Sequence, residues 1–376
     1  MQLVASVWRF HDELKSQQIL QKGHLERNVG HRHFSQEVPQ FEMETGDFGW
    51  RALQNVIVND QSALVYEPES NCLLIPFFPY PNFDNICYTQ GFVFAKTMDG
   101  FVLDAHFSEQ QDKGIFFSGT WPNNWYHWII EIVSRVVLLR SLPAEFDRCP
   151  ILVPQKCLEL KNHREFLLSL LNGREIRGIK GNLAVKNLLY LDAPVAATPQ
   201  LHGPSTVHDE AQLRIGKKSS ILLNEYRQLV LSSYGLDAQK DSRKIFLARR
   251  QNRRAYNQKE VSRFLKGKGF EDIYMEDLSV DEQLRTMASA EVVVGPTGAA
   301  WANLLFSYAQ AAIIWAPDCV DQSTVYTKLA QVAGVDLYYL RFPTPAKCWE
   351  EFMRLPEPYE IDLAKLNEGL LHCRIH

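Results

Sequence analysis

The chain has 376 residues, which is enough for two or three domains of ordinary size. Hydrophobic residues make up 46% and charged residues 22%, so the composition is that of a globular protein that needs no disulfide or metal to hold its core. The formal net charge of -4 argues against nucleic acid as a partner and against bulk electrostatic binding to an anionic membrane.

Cysteine usage and hydropathy bear on the compartment. The seven cysteines are scattered and form no C-x-x-C pair, which argues against a disulfide framework or zinc site and favours a reducing compartment. Met1 leads into a polar stretch that lacks the apolar core of a signal peptide. The apolar stretch 129–139 is too short and too charged to span a bilayer. A cytoplasmic protein without a transmembrane segment is expected, and peripheral association with a membrane stays open.

The first half of the chain changes character along its length. Residues 1–45 are polar without a clear period and are expected to form an irregular arm. Short apolar runs over 53–106 alternate with turn signals such as Asn59-Asp60 and Asp99-Gly100, which predicts antiparallel strands. Helical and strand patterns then alternate over 124–191, as in an α/β layer. Residues 46–200 are therefore interpreted as one domain.

In the second half, strand and helix signals alternate with short connections. The predicted strands are 244–248, 273–275, 292–294, 312–315 and 337–342. Capping boxes at Asn257/Glu260 and Ser279/Glu282 predict two helix starts. This alternation predicts a parallel, doubly wound sheet over 206–345 that follows a proline- and glycine-rich linker. The tail, 346–376, is expected to pack back on the first domain.

Three polar side chains recur on the helix predicted for 124–142. His127, Glu131 and Arg135 are spaced i, i+4 and i+8, so they share one face. His127 or Glu131 could serve as a general base. The alternative is an exposed ion pair of Glu131 and Arg135 beside His127 as a core histidine. Spacing alone favours this alternative.

A small-residue loop follows the predicted buried strand 292–294. The sequence Gly295-Pro296-Thr297-Gly298-Ala299 allows close approach of a ligand, and the helix predicted from Gly298 would offer N–H groups to a phosphate. A tight turn that needs glycine for packing explains the pattern equally well.

Arginines follow another strand of the same predicted sheet. Arg249 and Arg250 lie just after 244–248, at the edge where α/β sheets bind ligands, and guanidinium groups could neutralise a diphosphate. A solvated basic loop is the alternative. The chain has no Asp-x-Asp pair, which favours a site without a metal ion.

Three runs in series resemble one known family. They are Asn-Trp-Tyr-His-Trp-Ile-Ile-Glu-Ile-Val-Ser-Arg from Asn124, Lys-Ile-Phe-Leu-Ala-Arg-Arg from Lys244, and Val-Val-Val-Gly-Pro-Thr-Gly-Ala-Ala-Trp-Ala-Asn-Leu-Leu-Phe from Val292. Over about 114–342 the chain resembles the glycosyltransferases that include plant β-1,2-xylosyltransferase and the EGF-domain-specific O-GlcNAc transferase, a family with bacterial members in surface-polysaccharide synthesis.

The resemblance implies a GT-B architecture, in which two Rossmann-like domains face a cleft. In such an architecture 46–200 is the acceptor-side domain and 206–345 binds the nucleotide-sugar. A β-rich extension precedes the Rossmann-like part of the first domain. The resemblance also implies an inverting transfer without metal or other cofactor. The catalytic positions carried over are His127 and Glu131, with support from Asn124 and Arg135. The donor-binding positions carried over are Arg249, Arg250, Gly295, Pro296, Thr297, Gly298, Ala299 and Asn303. Thr297 stands where the family pattern has histidine.

The expected reaction moves a sugar from a nucleotide-sugar donor, UDP-linked by expectation, to a hydroxyl of a glycan or glycolipid acceptor. Capsule or lipopolysaccharide synthesis in a bacterial cytoplasm is the setting that the resemblance implies. Two other interpretations are a nucleotide-sugar epimerase on the same scaffold and a non-catalytic nucleotide-binding scaffold. Fold alone does not decide among the three.

Overall fold

The structure is a computed structural model that describes most of the chain. The described residues are 2–5, 7–10, 17–29, 40–45, 47–75, 91–96, 101–196, 217–236, 242–250, 255–319, 323–347 and 349–373. The chain divides into two compact units. The first comprises Met1–Glu26, Glu44–Ser205 and Arg214–Tyr226, and the second comprises Arg27–Met43, Thr206–Leu213 and Arg227–His376.

Strands and helices are numbered in chain order. The strands are β1 (Gln2–Ala5), β2 (Val7–Phe10), β3 (Gln17–Gln21), β4 (Leu25–Val29), β5 (Gln40–Glu44), β6 (Phe48–Asn59), β7 (Val65–Glu67), β8 (Cys72–Ile75), β9 (Val93–Lys96), β10 (Phe101–Asp104), β11 (Glu109–Phe116), β12 (Ile151–Pro154), β13 (Ile176–Ile179), β14 (Asn182–Leu191), β15 (Val195–Ala196), β16 (Lys217–Lys218), β17 (Arg243–Leu247), β18 (Phe270–Ile273), β19 (Ala290–Pro296), β20 (Ala311–Pro317) and β21 (Asp336–Phe342).

The α-helices are α1 (Gln155–Glu159), α2 (Lys161–Leu170), α3 (Ser220–Ser233), α4 (Gln258–Lys266), α5 (Val280–Ala288), α6 (Ser323–Ala333), α7 (Trp349–Arg354) and α8 (Leu363–His372). A π-helical turn covers His127–Ile132, and 3-10 helices cover Val133–Ser141, Ala144–Phe146, Met275–Asp277 and Ala299–Phe306. Within the described residues, no helix is both long and apolar enough to cross a bilayer.

The first unit is built on a nine-stranded mixed sheet. Its strand order is β13-β12-β11-β14-β6-β7-β8-β2, and β3 also pairs with β6. The segment β13-β12-β11-β14 is parallel, whereas β6 runs antiparallel to β14 along its whole length. Of the predicted antiparallel strands, β6, β7 and β8 belong to this same sheet, whereas β9 and β10 form a separate three-stranded sheet with β1. The mixed sheet corrects the expectation of a doubly wound first domain. Pairing with β6 covers a long edge of β14 that would otherwise leave its backbone groups exposed.

Other predictions for the N-terminal part have different outcomes. The turn at Asn59-Asp60 is confirmed, since β6 ends there and pairs antiparallel with β7. Asp99-Gly100 and residues 197–205 of the predicted linker lie outside the described residues. The arm 1–45 is not irregular throughout, because its described residues form short strands, of which β2 and β3 join the main sheet.

The parallel part of this sheet has a point where the chain changes direction. From β11 the chain moves outward to β12 and then β13, and β14 returns to the other side of β11. The loops after β11 and β14 therefore diverge at neighbouring carboxyl ends. Such a switch point is where open α/β sheets bind ligands.

The second unit contains a five-stranded, all-parallel sheet in the order β18-β17-β19-β20-β21. Side chains alternate between faces. Phe246 and Trp315 share a core with α4, α7 and α8, whereas Tyr339 on the other face contacts Thr327 of α6. The prediction of a parallel sheet with helices on both faces is confirmed for this unit, and its switch point lies between β17 and β19.

Local predictions for this half have different outcomes. The described tail residues Phe352, Ile361 and Leu366 are part of the second unit's core, and packing of the tail on the first domain stays a prediction. The predicted helix start at Asn257 is confirmed, since α4 begins at Gln258. The side chain of Asn257 makes no capping hydrogen bond, because its amide exchanges two hydrogen bonds with the backbone of Ile361 in the tail. The capping box at Ser279 is confirmed, with both reciprocal bonds to Glu282 present.

Candidate functional site

The polar stripe of the first unit lies on irregular helical structure and not on the predicted regular helix. Residues His127–Ile132 form a π-helical turn, and a 3-10 helix begins at Val133. Single π turns inside helices occur often at functional sites. His127 Nδ1 lies 2.6 Å from Glu131 Oε2, so the structure brings together the first two members of the predicted triplet.

The pair is mostly enclosed but reachable from solvent, with side-chain exposures of 17% for His127 and 12% for Glu131. Burial is the largest influence on the pKa of His127 and acts to lower it. The charge of Glu131 and its hydrogen bond act in the opposite direction, and the pKa is raised above the ordinary 6.5. Because a carboxylate only accepts hydrogen bonds, the neutral ring carries its proton on Nδ1 and presents a lone pair at Nε2.

Aromatic rings and a short turn surround His127. The ring centroid of Trp121 is 5.3 Å from that of His127, and the ring of Tyr126 meets His127 edge-on at 5.6 Å. Asn124 ties the turn to the helix, since its side-chain oxygen accepts the N–H of Tyr126 at 2.9 Å. The predicted supporting residue Asn124 thus sets the start of the helix that carries His127.

Arg135 does not extend the polar stripe. Its side chain is buried, and it donates to the carbonyls of Leu191 at 3.1 Å and Ser118 at 2.9 Å. Leu191 is the last residue of β14 and Ser118 follows β11, so the guanidinium braces the switch point of the sheet. The change from π to 3-10 geometry after Ile132 turns this position inward, and its hydrogen bonds do not lead to Glu131.

His163 on α2 belongs to the same surroundings, although sequence reasoning missed it. Burial lowers its pKa to about 4, partly offset by a hydrogen bond with the Asn123 backbone. Its ring packs against Trp125 and Trp128, with centroids at 5.2 and 5.5 Å. Within the described residues its Nε2 is buried without a hydrogen-bond partner. The separation along the chain from His127 left no spacing signal that could link the two.

In the second unit, Arg249 lies at the switch point, directly after β17. Its backbone N–H and carbonyl pair with the side-chain amide of Gln258, at 3.0 and 2.9 Å. Its guanidinium donates to the carbonyl of Thr297, which follows β19. Two of the predicted donor-binding segments therefore meet at one edge of the sheet.

Small residues make this meeting possible. A Cβ on Gly298 would overlap with the Arg249 guanidinium, and one on Gly295 would lie 2.8 Å from the Cβ of Leu247. The Gly298 carbonyl accepts a hydrogen bond at 2.9 Å from Tyr326, whose pKa burial raises to about 12. The glycines thus have a packing role, and Gly298 is partly exposed at this edge.

The segment after Gly298 is a 3-10 helix that begins at Ala299, where the sequence predicts an α-helix. The carbonyl of Pro296, at the end of β19, accepts a hydrogen bond from the indole of Trp301 at 2.8 Å. This contact folds the helix back over the loop. The first N–H groups of such a helix have no partner within it and remain available to an anion.

The remaining two predicted donor residues are placed differently. Asn303 is fully buried and donates to Gln283 at 3.1 Å, because the 3-10 helix turns it into the interior. Its position differs from the ligand-facing one that the sequence predicts. Arg250 is exposed and pairs with Asp277 at 2.7 Å, and its guanidinium lies 3.8 Å from the Tyr274 ring centroid. In the part of the chain that the structure describes, no three His, Cys, Asp or Glu side chains cluster as metal ligands would.

The comparison with protein families decides the class of protein. The family model described as Glycosyltransferase 61 matches residues 125–314. The chain belongs to the glycosyltransferase 61 family. It is therefore a glycosyltransferase, an enzyme that acts on a sugar donor and an acceptor. No curated protein matches the chain.

The match covers candidate site residues of both units. It begins at Trp125, two residues before His127, and it ends within β20, beyond the loop of Gly295 to Ala299. The candidate base pair and the switch point of the second unit thus lie in the part of this family 61 glycosyltransferase that carries the resemblance. Trp121 and Asn124 precede the matched residues.

Proposed function

We propose that this glycosyltransferase catalyses an inverting, metal-independent transfer from a nucleotide-sugar to a hydroxyl of a glycan or glycolipid. The 2.6 Å bond between His127 and Glu131 is the observation that carries the proposal. It orients an imidazole with a free lone pair at Nε2, and it raises the pKa of that imidazole toward the range in which a general base works best.

The acceptor oxygen attacks the anomeric carbon of the donor in one displacement. The proton of the hydroxyl goes to His127 Nε2, and the bond from the anomeric carbon to the diphosphate oxygen breaks. The electron pair of that bond leaves with the nucleoside diphosphate, for which UDP is proposed. Glu131 holds the imidazole in place and stabilises the imidazolium that forms.

The switch point of the second unit is proposed to bind the diphosphate. Arg249 supplies a cation, and the segment from Gly298 supplies backbone N–H groups at the start of the 3-10 helix. Metal independence rests on this cationic edge and on a sequence without an Asp-x-Asp pair. The GT-B arrangement of the two units is part of the proposal.

The wider setting is also proposed. The scattered cysteines fit a reducing cytoplasm, and the resemblance to bacterial members of the family fits the synthesis of capsule or lipopolysaccharide. Peripheral attachment to a membrane would bring the enzyme to a glycolipid acceptor. Fractionation of the native host tests the location: recovery in the cytosol or at the inner face of the membrane supports it, and secretion contradicts it.

The decisive test of the reaction starts with a thermal-shift screen of nucleotide-sugars, because a bound donor raises the unfolding temperature. The donor found is then incubated with a glycan panel in the presence of EDTA. Release of nucleoside diphosphate only when an acceptor is present supports the proposal. Epimerisation of the donor alone, or donor binding without transfer to any acceptor, contradicts it.

A further inference from the structure

Trp121 is a large aromatic side chain that stays exposed beside the candidate base. Its exposed fraction is 38%, in a unit whose other tryptophans near His127 are more deeply packed. Its backbone φ is +50°, a left-handed conformation that a bulky residue seldom adopts. Such strain persists only where the surroundings enforce it, and it is common at ligand sites.

Several contacts enforce the conformation of the loop around Trp121. Its carbonyl accepts the N–H of Asn124 at 2.9 Å, and the next carbonyl, that of Pro122, accepts from the Cys157 thiol at 3.3 Å. The backbone of Asn123 bonds with the buried ring of His163. The loop follows the carboxyl end of β11, at the switch point of the first unit. The indole is therefore presented on a fixed backbone and not on a free surface loop.

The indole of Trp121 lies close enough to His127 for one ligand to contact both side chains. The two ring centroids are 5.3 Å apart and the planes are inclined at 59°. A ligand lying on the open part of the indole would have its edge next to His127. Phe94 and Phe107 of the same unit are also exposed, at 54% and 43%, but no ring contact joins either of them to His127.

A pyranose ring fits such a surface because it has two kinds of exterior. Its axial C–H groups form an apolar face that can lie flat on an aromatic ring, and its hydroxyls project from the rim. An indole combines a large apolar area with few rotatable bonds, so it binds such a face at a low cost in conformational entropy. A ring seated on Trp121 would direct a rim hydroxyl toward His127 Nε2.

We propose that Trp121 is the platform of the acceptor subsite and that the group it binds is a pyranosyl unit of a glycan. This inference rests on the proposed function for the role of His127, and it adds the chemical class of the acceptor next to the base. Trp121 contacts substrate in this proposal, so its replacement weakens acceptor binding more than it slows the chemical step.

The test measures binding of simple sugars without any donor. Saturation-transfer NMR follows methyl β-glucopyranoside, methyl β-galactopyranoside and methyl β-xylopyranoside with the wild-type chain, and sorbitol serves as an acyclic polyol with no ring face. The variants are Trp121→Ala, Trp121→Phe and Phe107→Ala, the last being a matched exposed aromatic elsewhere in the unit. Circular dichroism and the unfolding temperature report whether each variant is folded.

At least one pyranoside is expected to bind the wild type and sorbitol is not. Trp121→Ala should weaken that binding by about tenfold, as expected for loss of a stacking contact. Trp121→Phe should retain most of the binding, and Phe107→Ala should match the wild type. Equal binding by Trp121→Ala and wild type, or binding of no pyranoside, overturns the inference. Neither result depends on turnover, so failure of the subsite is distinguishable from failure of the proposed reaction.

Discussion

The two units use their switch points in different ways. In the first unit the loops at the carboxyl ends of β11 and β14 surround a titratable pair, His127 and Glu131, with aromatic rings beside it. In the second unit the equivalent edge between β17 and β19 presents a guanidinium and glycine backbone. In the proposed mechanism the same topological position serves proton transfer in one unit and anion binding in the other, because side chains and not strand order decide the chemistry.

The two units also differ in the contacts of the arginine at each switch point. Arg135 in the first unit has its charge buried against two strand-end carbonyls, where it braces the sheet. Arg249 in the second unit is half-buried, and its guanidinium, which carries five N–H donors, contacts the carbonyl of Thr297. Arg135, predicted to support the site, is thus a bracing residue, and Arg249 keeps its predicted role in donor binding as a proposal.

The largest expected effect falls on the first unit. Replacing His127 by Ala removes the base, and kcat should fall by about 10²- to 10⁴-fold. Affinity for the donor nucleotide should stay at the wild-type value, because the proposed diphosphate contacts lie in the second unit. Steady-state kinetics and calorimetry with the nucleotide measure both quantities. His106→Ala, an exposed histidine of the same unit, is the control, and full activity of His127→Ala excludes His127 as the base.

The second effect concerns stability at acidic pH. His163 has a folded-state pKa of about 4 against an ordinary 6.5, so the unfolded chain binds the proton first as the pH falls. The contribution of His163 to the free energy of unfolding is fully present above pH 6.5 and is lost as the pH falls toward 4. The loss amounts to at most about 3 kcal/mol.

Urea unfolding at pH 7 and pH 4.5 measures this loss. His163→Phe should show a smaller difference between the two pH values than the wild type does, and His106→Phe should behave as the wild type. A wild-type loss that survives unchanged in His163→Phe contradicts the assignment.

The third effect falls on donor binding. Arg249→Ala should raise the donor KM by about 10- to 100-fold, the range for loss of charge-assisted hydrogen bonds. Gly298→Ala should act in the same direction, because its Cβ would displace the guanidinium. The double variant should then be less impaired than the product of the two single effects. Gly267→Ala, at the end of α4, is the matched control. Strict multiplication of the effects would show that the two residues act independently.

The smallest expected effect is that of Asn303→Ala, which tests whether Asn303 stabilises the fold or contacts the donor. Asn303→Ala leaves the buried oxygen of Gln283 without its donor, so unfolding free energy should drop by about 1 to 2 kcal/mol. The donor KM should not change, in contrast to Arg249→Ala. An increase in the donor KM for Asn303→Ala at wild-type stability would show that Asn303 contacts the donor.

The sequence predicts the second unit well because its signals are local. Buried strands such as 292–294, short connections and the Ser279 capping box each determine structure within a few residues. The alternation of strand and helix then leaves few arrangements other than a parallel sheet.

The first unit could be predicted only in part, because its determinants are distant in the chain. The pairing of β6 with β14, the inward turn of Arg135 and the packing of His163 beneath Asn123 depend on contacts between distant segments. The i, i+4 spacing found His127 and Glu131 because that interaction lies within one turn. Trp121 had no such signal, since its importance comes from a backbone conformation and not from a sequence pattern.

The most direct test of the account compares the pH dependence of kcat/KM for the wild type and Glu131→Gln. Glutamine keeps a hydrogen-bond acceptor for Nδ1 but removes the charge that raises the pKa of His127. A base works when deprotonated, so the wild-type rate should decline as the pH falls through a value above 6.5, and the decline should move to lower pH in Glu131→Gln. An identical acid limb in both proteins would contradict the role of His127 as a base tuned by Glu131.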